Sequence, residues 1–291
     1  MKLATFTHSG STRIGVVEGD EVVDLAAAAP ELPREMTALF AAGPAALDRA
    51  ARAAAAMRTR ISVDDVHLKA PVLRPPKILA VGLNYADHVA ESGREAPGHP
   101  TIFNKQSTSV TGPYDPVHLP RASQALDYEG ELGFVIGKRC RHVPRGRAAE
   151  VVAGYVVVND VSVRDWQFHT PTMTMGKSFD THCPAGPWIV TADEVGDPHS
   201  LGLRTWVDGE LRQESNTKEL IFDCFAIIEY LTTAFTLEPG DLISTGTPGG
   251  VGIAMKPPRL LVAGNVVRVE VECIGQIENP VIAEPDETVR V

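Results

Sequence analysis

The chain has 291 residues, 44% hydrophobic and 22% charged, the proportions of a globular protein large enough for a substantial core. A formal net charge of −10 argues against a nucleic-acid partner, and no apolar stretch is long enough to predict a signal peptide or membrane span. The four cysteines, Cys140, Cys183, Cys224 and Cys273, form no CxxC pair, so they read as mostly buried thiols of a cytoplasmic protein rather than a zinc site or disulfide framework.

Residues 1–70 read as a small separate α+β unit. Short strand-like runs at 2–7, 13–18 and 21–24 are joined by Gly, Ser and Asp turns. An alanine-rich segment from about 35 to 60 follows, with Ala45, Leu47, Ala51, Ala54 and Met57 spaced loosely along one helical face. Ala70-Pro71-Val72-Leu73-Arg74-Pro75-Pro76 punctuates the chain and predicts a domain boundary, so that residues 71–291 form the second unit.

Beyond that boundary short apolar β-type runs dominate, at 78–81, 132–136, 155–158, 188–191, 242–244 and 266–271. A short helix is predicted from Asn84, a good N-cap residue, through residue 91. On it His88 and Glu91 stand three apart and share a face. A carboxylate beside an imidazole fixes its tautomer and raises its basicity, which suits a general base; an ordinary surface pair is the plainer reading. Lys105 ends the stretch Pro100-Thr101-Ile102-Phe103-Asn104-Lys105.

Asp127-Tyr128-Glu129-Gly130-Glu131-Leu132 carries two carboxylates two residues apart on a predicted strand, hence on one face. Such a pair persists when one member is protonated or when a cation lies between them. Asp160 ends the next apolar run and brings a third carboxylate, a set suited to Mg²⁺ or Mn²⁺. Behind it, Arg164, Asp165 and Gln167 occupy a loop leaving a buried strand; Arg164 with Asp165 also reads as a simple ion pair. Lys105 and Lys177 are each placed to bind a substrate carboxylate or an oxyanion, though most lysines are solvated charges. A helix is predicted over 220–235, where Ile221, Cys224, Ile227, Ile228 and Leu231 keep helical spacing. The glycine-rich run 237–252 lacks the Lys-Ser/Thr ending of a phosphate loop, and its Thr247 is a candidate donor to a ligand carboxylate. Many short strands and few helices indicate a β-rich α+β class.

In their order along the chain these pieces resemble the fumarylacetoacetate hydrolase family, over roughly residues 72–283. The matching stretches are Gly82-Leu83-Asn84-Tyr85 with His88 and Glu91, Asp127 to Leu132, Asn159 to Asp165, Gly176-Lys177-Ser178-Phe179-Asp180, and Pro239-Gly240-Asp241 with Thr245-Gly246-Thr247-Pro248. The resemblance implies a mixed β-roll core, a homodimer, and a Mg²⁺ or Mn²⁺ ion held by Glu129, Glu131 and Asp160. It implies a water-activating pair in His88 and Glu91, on a segment that orders over the site, and substrate contacts from Lys177, Gln167 and Thr247. His182 stands where the family commonly has an aromatic residue, and Gly130 separates the two glutamates.

The implied chemistry begins with a 2-oxo acid chelating the cation through its carboxylate and neighbouring oxygen. In the leading reading His88 with Glu91 activates water, which attacks the distal carbonyl of an acylpyruvate and expels a pyruvate enolate. Decarboxylation, or tautomerisation of an oxaloacetate-like acid, is the alternative on the same residues. A metal-dependent nuclease is disfavoured by the acidic charge and by Gly133 where a lysine would follow Glu131, and a binding module by the intact ligand set and dyad.

Overall fold

The computed structural model describes residues 1–93 and 95–288. It is a strand-rich α+β fold organised around two sheets. The long sheet runs in the order Ile61–Ser62, Glu21–Asp24, Ser11–Glu18, Lys2–His8, Cys183–Thr191, Val152–Asn159, Gly130–Ile136, Leu242–Ser244, Ile78–Gly82 and Thr101–Lys105. Along that path only the Leu242–Ser244 and Ile78–Gly82 pair is parallel. A second sheet is built from Glu210–Asn216, Gly202–Val207, Val266–Val271, Gly275–Ala283 and Val117–Leu119.

The central strands are buried on both faces, which is why they read as unbroken apolar runs instead of alternating ones. Leu132, Phe134, Ile136, Tyr155 and Val157 face the second sheet and the helix Cys224–Ala234. Val135, Val156, Val158 and Ile189 face the opposite way and pack under the N-terminal helices Met36–Ala41 and Pro44–Ala56. The N-terminal strand Lys2–His8 pairs directly with Cys183–Thr191, so residues 1–70 extend the same sheet.

Several local expectations are revised. The alanine-rich segment is two helices, broken where Gly43 takes a positive φ of 82° and Pro44 opens the second. The second helix buries Ala46, Ala50 and Ala54, whereas Ala45 and Ala51 face solvent. The predicted helix at 220–235 begins only at Cys224, capped by the Asp223 carboxylate, which accepts from Phe225 N and Ala226 N. Asn84 caps nothing: the helix is Ala86–Ser92, and the buried Asn84 amide instead bonds Phe222 O, Thr245 O and Phe222 N. Of the four thiols, all free, Cys183 and Cys224 are buried while Cys140 is half-buried and Cys273 exposed.

Candidate metal centre and active site

Strand register assembles the site. Gly130 pairs with Asn159, and Asp160 N donates to Glu129 O at 2.8 Å, so the three carboxylates meet at adjacent strand ends. Glu129 lies one residue ahead of the strand proper, and Glu131 is its second residue. One oxygen from each of Glu129, Glu131 and Asp160 lies within 4.8 Å of the others, and all three side chains are buried.

Fixed cations surround the cluster. Lys177 Nζ donates to Glu129 Oε2 at 2.6 Å and to Asp160 Oδ2 at 2.8 Å. Arg164 Nη1 donates to Glu129 Oε1 at 2.6 Å and to Gln167 Oε1 at 3.0 Å, while its Nε donates to Asp127 Oδ2 at 2.8 Å. Lys105 Nζ donates to Asp160 Oδ1 at 2.6 Å and to Val161 O at 3.3 Å. Glu131 differs: its Oε2 accepts from Ser244 Oγ and from Gly246 N, and among the described residues no cationic side chain is bonded to it.

The electrostatics follow from that asymmetry. Burial alone would raise the Glu129 carboxyl, but Lys177 and Arg164 outweigh it and hold it well below the carboxylate range. Burial, together with the charges of Asp160 and Glu129, pushes the Glu131 carboxyl well above that range. Burial would lower the Lys177 ammonium, yet Asp160 and Glu129 keep it raised, so it stays protonated. Four buried carboxyl groups (Asp127, Glu129, Glu131, Asp160) thus meet three buried basic side chains (Lys105, Arg164, Lys177), and Glu131 is the one to which none of the three is bonded. An oxygen-rich cluster with one unneutralised carboxylate fits a hard divalent cation.

A cavity of about 330 Å³ opens over Glu129 and Glu131. His88, Glu91, Arg164, Gln167, Lys177 and Thr247 line it, together with Phe103, Phe168, Met173, Val251 and Ile253. His88 Nδ1 lies 3.4 Å from Glu91 Oε2, and Gly250 N donates to the same Glu91 carboxylate at 3.0 and 3.1 Å. The helix carrying the pair is anchored further by Asp87, which accepts from Ser215 Oγ at 2.9 Å and from Gly249 N at 3.3 Å.

Three expectations change at this level. Lys105 does not line this cavity; its ammonium is fully buried behind Asp160 and orients that carboxylate. Arg164 does not pair with Asp165, whose carboxylate accepts from Ser123 Oγ and Trp166 N. Thr247 lines the cavity, but its hydroxyl donates to Gly130 O at 2.9 Å and accepts from Gln213 Nε2 at 2.8 Å, so its proton is already committed. Sequence reasoning also missed Asp127, Gln213 and Ser244 as parts of the site. Asp127 stood inside a matched motif without a role, and Gln213 and Ser244 lie in stretches with no chemical signature of their own.

Comparison with known proteins agrees with this architecture. Residues 77–282 match the family described as fumarylacetoacetate (FAA) hydrolase C-terminal, and residues 1–71 match one described as Rv2993c-like, N-terminal. The mitochondrial oxaloacetate tautomerase fahd2 of Xenopus laevis is 43% identical over 288 residues, covering 97% of this chain and 90% of that protein. Among solved structures, the fumarylacetoacetate hydrolase of the psychrophile Exiguobacterium antarcticum superposes with a TM-score of 0.86 at 39% identity, covering 98% of this chain and 100% of that one. The maleylpyruvate hydrolase of Sphingobium sp. SYK-6, solved with manganese(II) and pyruvate, gives a TM-score of 0.82 at 35% identity, with coverages of 98% and 100%. Strand order, carboxylate cluster and sequence agreement converge, and the chain belongs to the fumarylacetoacetate hydrolase family.

Proposed function

We propose that this chain moves a proton beside the carbonyl of a small 2-oxo acid held on a divalent cation, interconverting the enol and keto forms of oxaloacetate. The observation that carries the reading is the His88–Glu91 pair lining the same cavity as the carboxylate cluster. Glu91 engages Nδ1 and so leaves Nε2 as the nitrogen that exchanges protons. His88 takes the enol hydroxyl proton, electron density shifts to C3, and C3 is protonated from the imidazolium. Mg²⁺ or Mn²⁺, held by Glu129, Glu131 and Asp160, would supply the Lewis acidity that steadies negative charge on the 2-oxo acid. Lys177 and Arg164 orient two of those carboxylates, Glu129 and Asp160. The named activity of the Xenopus laevis relative makes oxaloacetate the first substrate to test.

A second reading is hydrolysis of an acylpyruvate-type C–C bond. It is favoured by the apolar outer cavity, where Phe168, Met173, Val251 and Ile253 leave more room than a four-carbon acid fills. There His88 takes a proton from water, hydroxide attacks the distal carbonyl, and the C–C electron pair leaves with the pyruvate fragment as its enolate. Purified enzyme with Mn²⁺ should speed loss of the enol absorbance of oxaloacetate above buffer with Mn²⁺ alone, without pyruvate forming. No acceleration would sink the first reading; pyruvate release from acylpyruvates establishes the second, and pyruvate from oxaloacetate would show decarboxylation.

The same proposal takes the enzyme as a homodimer in the cytoplasm, with residues 1–70 as an accessory domain to the 71–291 catalytic unit. Sedimentation and cell fractionation test the first two, the Xenopus laevis relative being named as mitochondrial. Among the described residues no helix is long and apolar enough to cross a membrane.

A further inference from the structure

We infer that Asp127 is a positioning residue for the metal centre, fixing the outer loop of the cavity and the Arg164–Glu129 pair in one frame. Its side chain is fully buried, and both oxygens are used. Oδ1 accepts from Tyr128 N at 3.0 Å and from Gly252 N at 2.9 Å. Oδ2 accepts from Ile253 N at 3.0 Å and from Arg164 Nε at 2.8 Å. Every partner is a donor, so the position calls for a group that only accepts. An amide would turn its NH₂ against a donor whichever way it was flipped.

The two sides of this carboxylate reach different parts of the site. Through Gly252 N and Ile253 N it anchors the segment whose Val251, Ile253 and Ala254 line the cavity. Through Arg164 it reaches Glu129, because the same guanidinium donates Nη1 to Glu129 Oε1. The packing is as close as the bonding: a Cβ added at Gly252 would lie 2.5 Å from Asp127 Oδ1 and 2.4 Å from Arg259 O.

The consequence falls on the cation. Asp127 shares the guanidinium charge and points one edge of it at Glu129. Without that second carboxylate Arg164 is free to pair fully with Glu129 and to compete for it with a divalent ion. The inference rests on the metal-centre reading, so the wild-type chain is the reference: if it binds no Mn²⁺, that reading fails by itself.

The experiment is Mn²⁺ titration of the full chain, with free Mn²⁺ followed by electron paramagnetic resonance, in wild type, Asp127→Asn, Gly252→Ala and Tyr128→Phe. Asp127→Asn should raise the Mn²⁺ Kd about tenfold or more, the scale set by residues that orient a ligand. Gly252→Ala, which crowds the same carboxylate from the loop, should shift Kd in the same direction by less. Tyr128→Phe removes the hydroxyl that donates to Gly250 O at 2.8 Å and keeps the backbone N–H that donates to Asp127. It should raise the KM for the 2-oxo acid with Kd unchanged. A folded Asp127→Asn protein with wild-type Kd overturns the proposal, as does a Tyr128→Phe shift as large as that of Asp127→Asn. If Asp127→Asn does not fold, an unchanged Kd in Gly252→Ala overturns it.

Discussion

At the residue scale, the sign of an effect depends on whether a side chain's neighbours satisfy it. Glu131 is surrounded by like charge and bonded only to neutral donors. Glu131→Gln should therefore leave the metal-free protein at least as stable, because both donors still find an acceptor and the repulsion is gone. The same change should weaken Mn²⁺ binding by more than the roughly tenfold to hundredfold typical of a supporting residue. Urea unfolding and Mn²⁺ titration read the two signs separately. His182 gives the pH dependence. Burial lowers its imidazole from 6.5 to about 3, outweighing the bond from its ring to His118 O. The folded state thus binds fewer protons than the unfolded one. Its contribution is complete above pH 6.5 and is lost as pH falls toward about 3. His182→Phe should flatten that acid limb in urea unfolding at stepped pH, and an unchanged limb would show that other groups dominate it.

At the scale of elements, Gly130 shows why the spacing of the two glutamates matters. It is buried within the strand that carries Glu131, and an added Cβ would lie 2.1 Å from Thr205 Oγ1 and 3.3 Å from Gln213 Oε1. The two sheets approach here so closely that no side chain fits between the glutamates. Gly130→Ala should force the sheets apart, strain the Gln213–Thr247 contact, and cost roughly 1–3 kcal/mol as an overpacked core does. Chemical denaturation and Mn²⁺ titration of the variant check it; a full-affinity, full-stability protein would mean the second sheet yields freely. The glutamate pair was legible in the sequence because a strand places alternate residues on one face. The true start of the strand was not, since Glu129 reaches the cluster through the bond from Asp160 N to its carbonyl.

For the whole molecule, one sheet runs from the N-terminal strands through the centre of the site, and the core beneath it mixes Leu3, Ile14 and Val16 with Val135, Val156 and Ile189. Local events at the carboxylates should therefore register in global unfolding. A cation that binds only the folded chain adds about 2.7 kcal/mol when present at 100 times its Kd. Mn²⁺ should accordingly raise the unfolding midpoint by several degrees, and a chelator should reverse it; calorimetry with and without the ion measures both. No shift in wild type would argue against an ion at Glu129, Glu131 and Asp160.

The sequence by itself determined the β-rich α+β class, the strand at Glu131, the alternate spacing of the two glutamates and the His88–Glu91 spacing. These rest on interactions a few residues apart or on a periodicity visible within one segment. Tertiary structure alone decided that Lys105 lies behind Asp160, that Arg164 ties Glu129 to Asp127, and that the Thr247 hydroxyl donates to Gly130 O. Those contacts join residues as far apart as Gly130 and Thr247, 117 positions along the chain. No local pattern encodes them, because long-range partners are selected by sheet register and by the need to satisfy every buried charge.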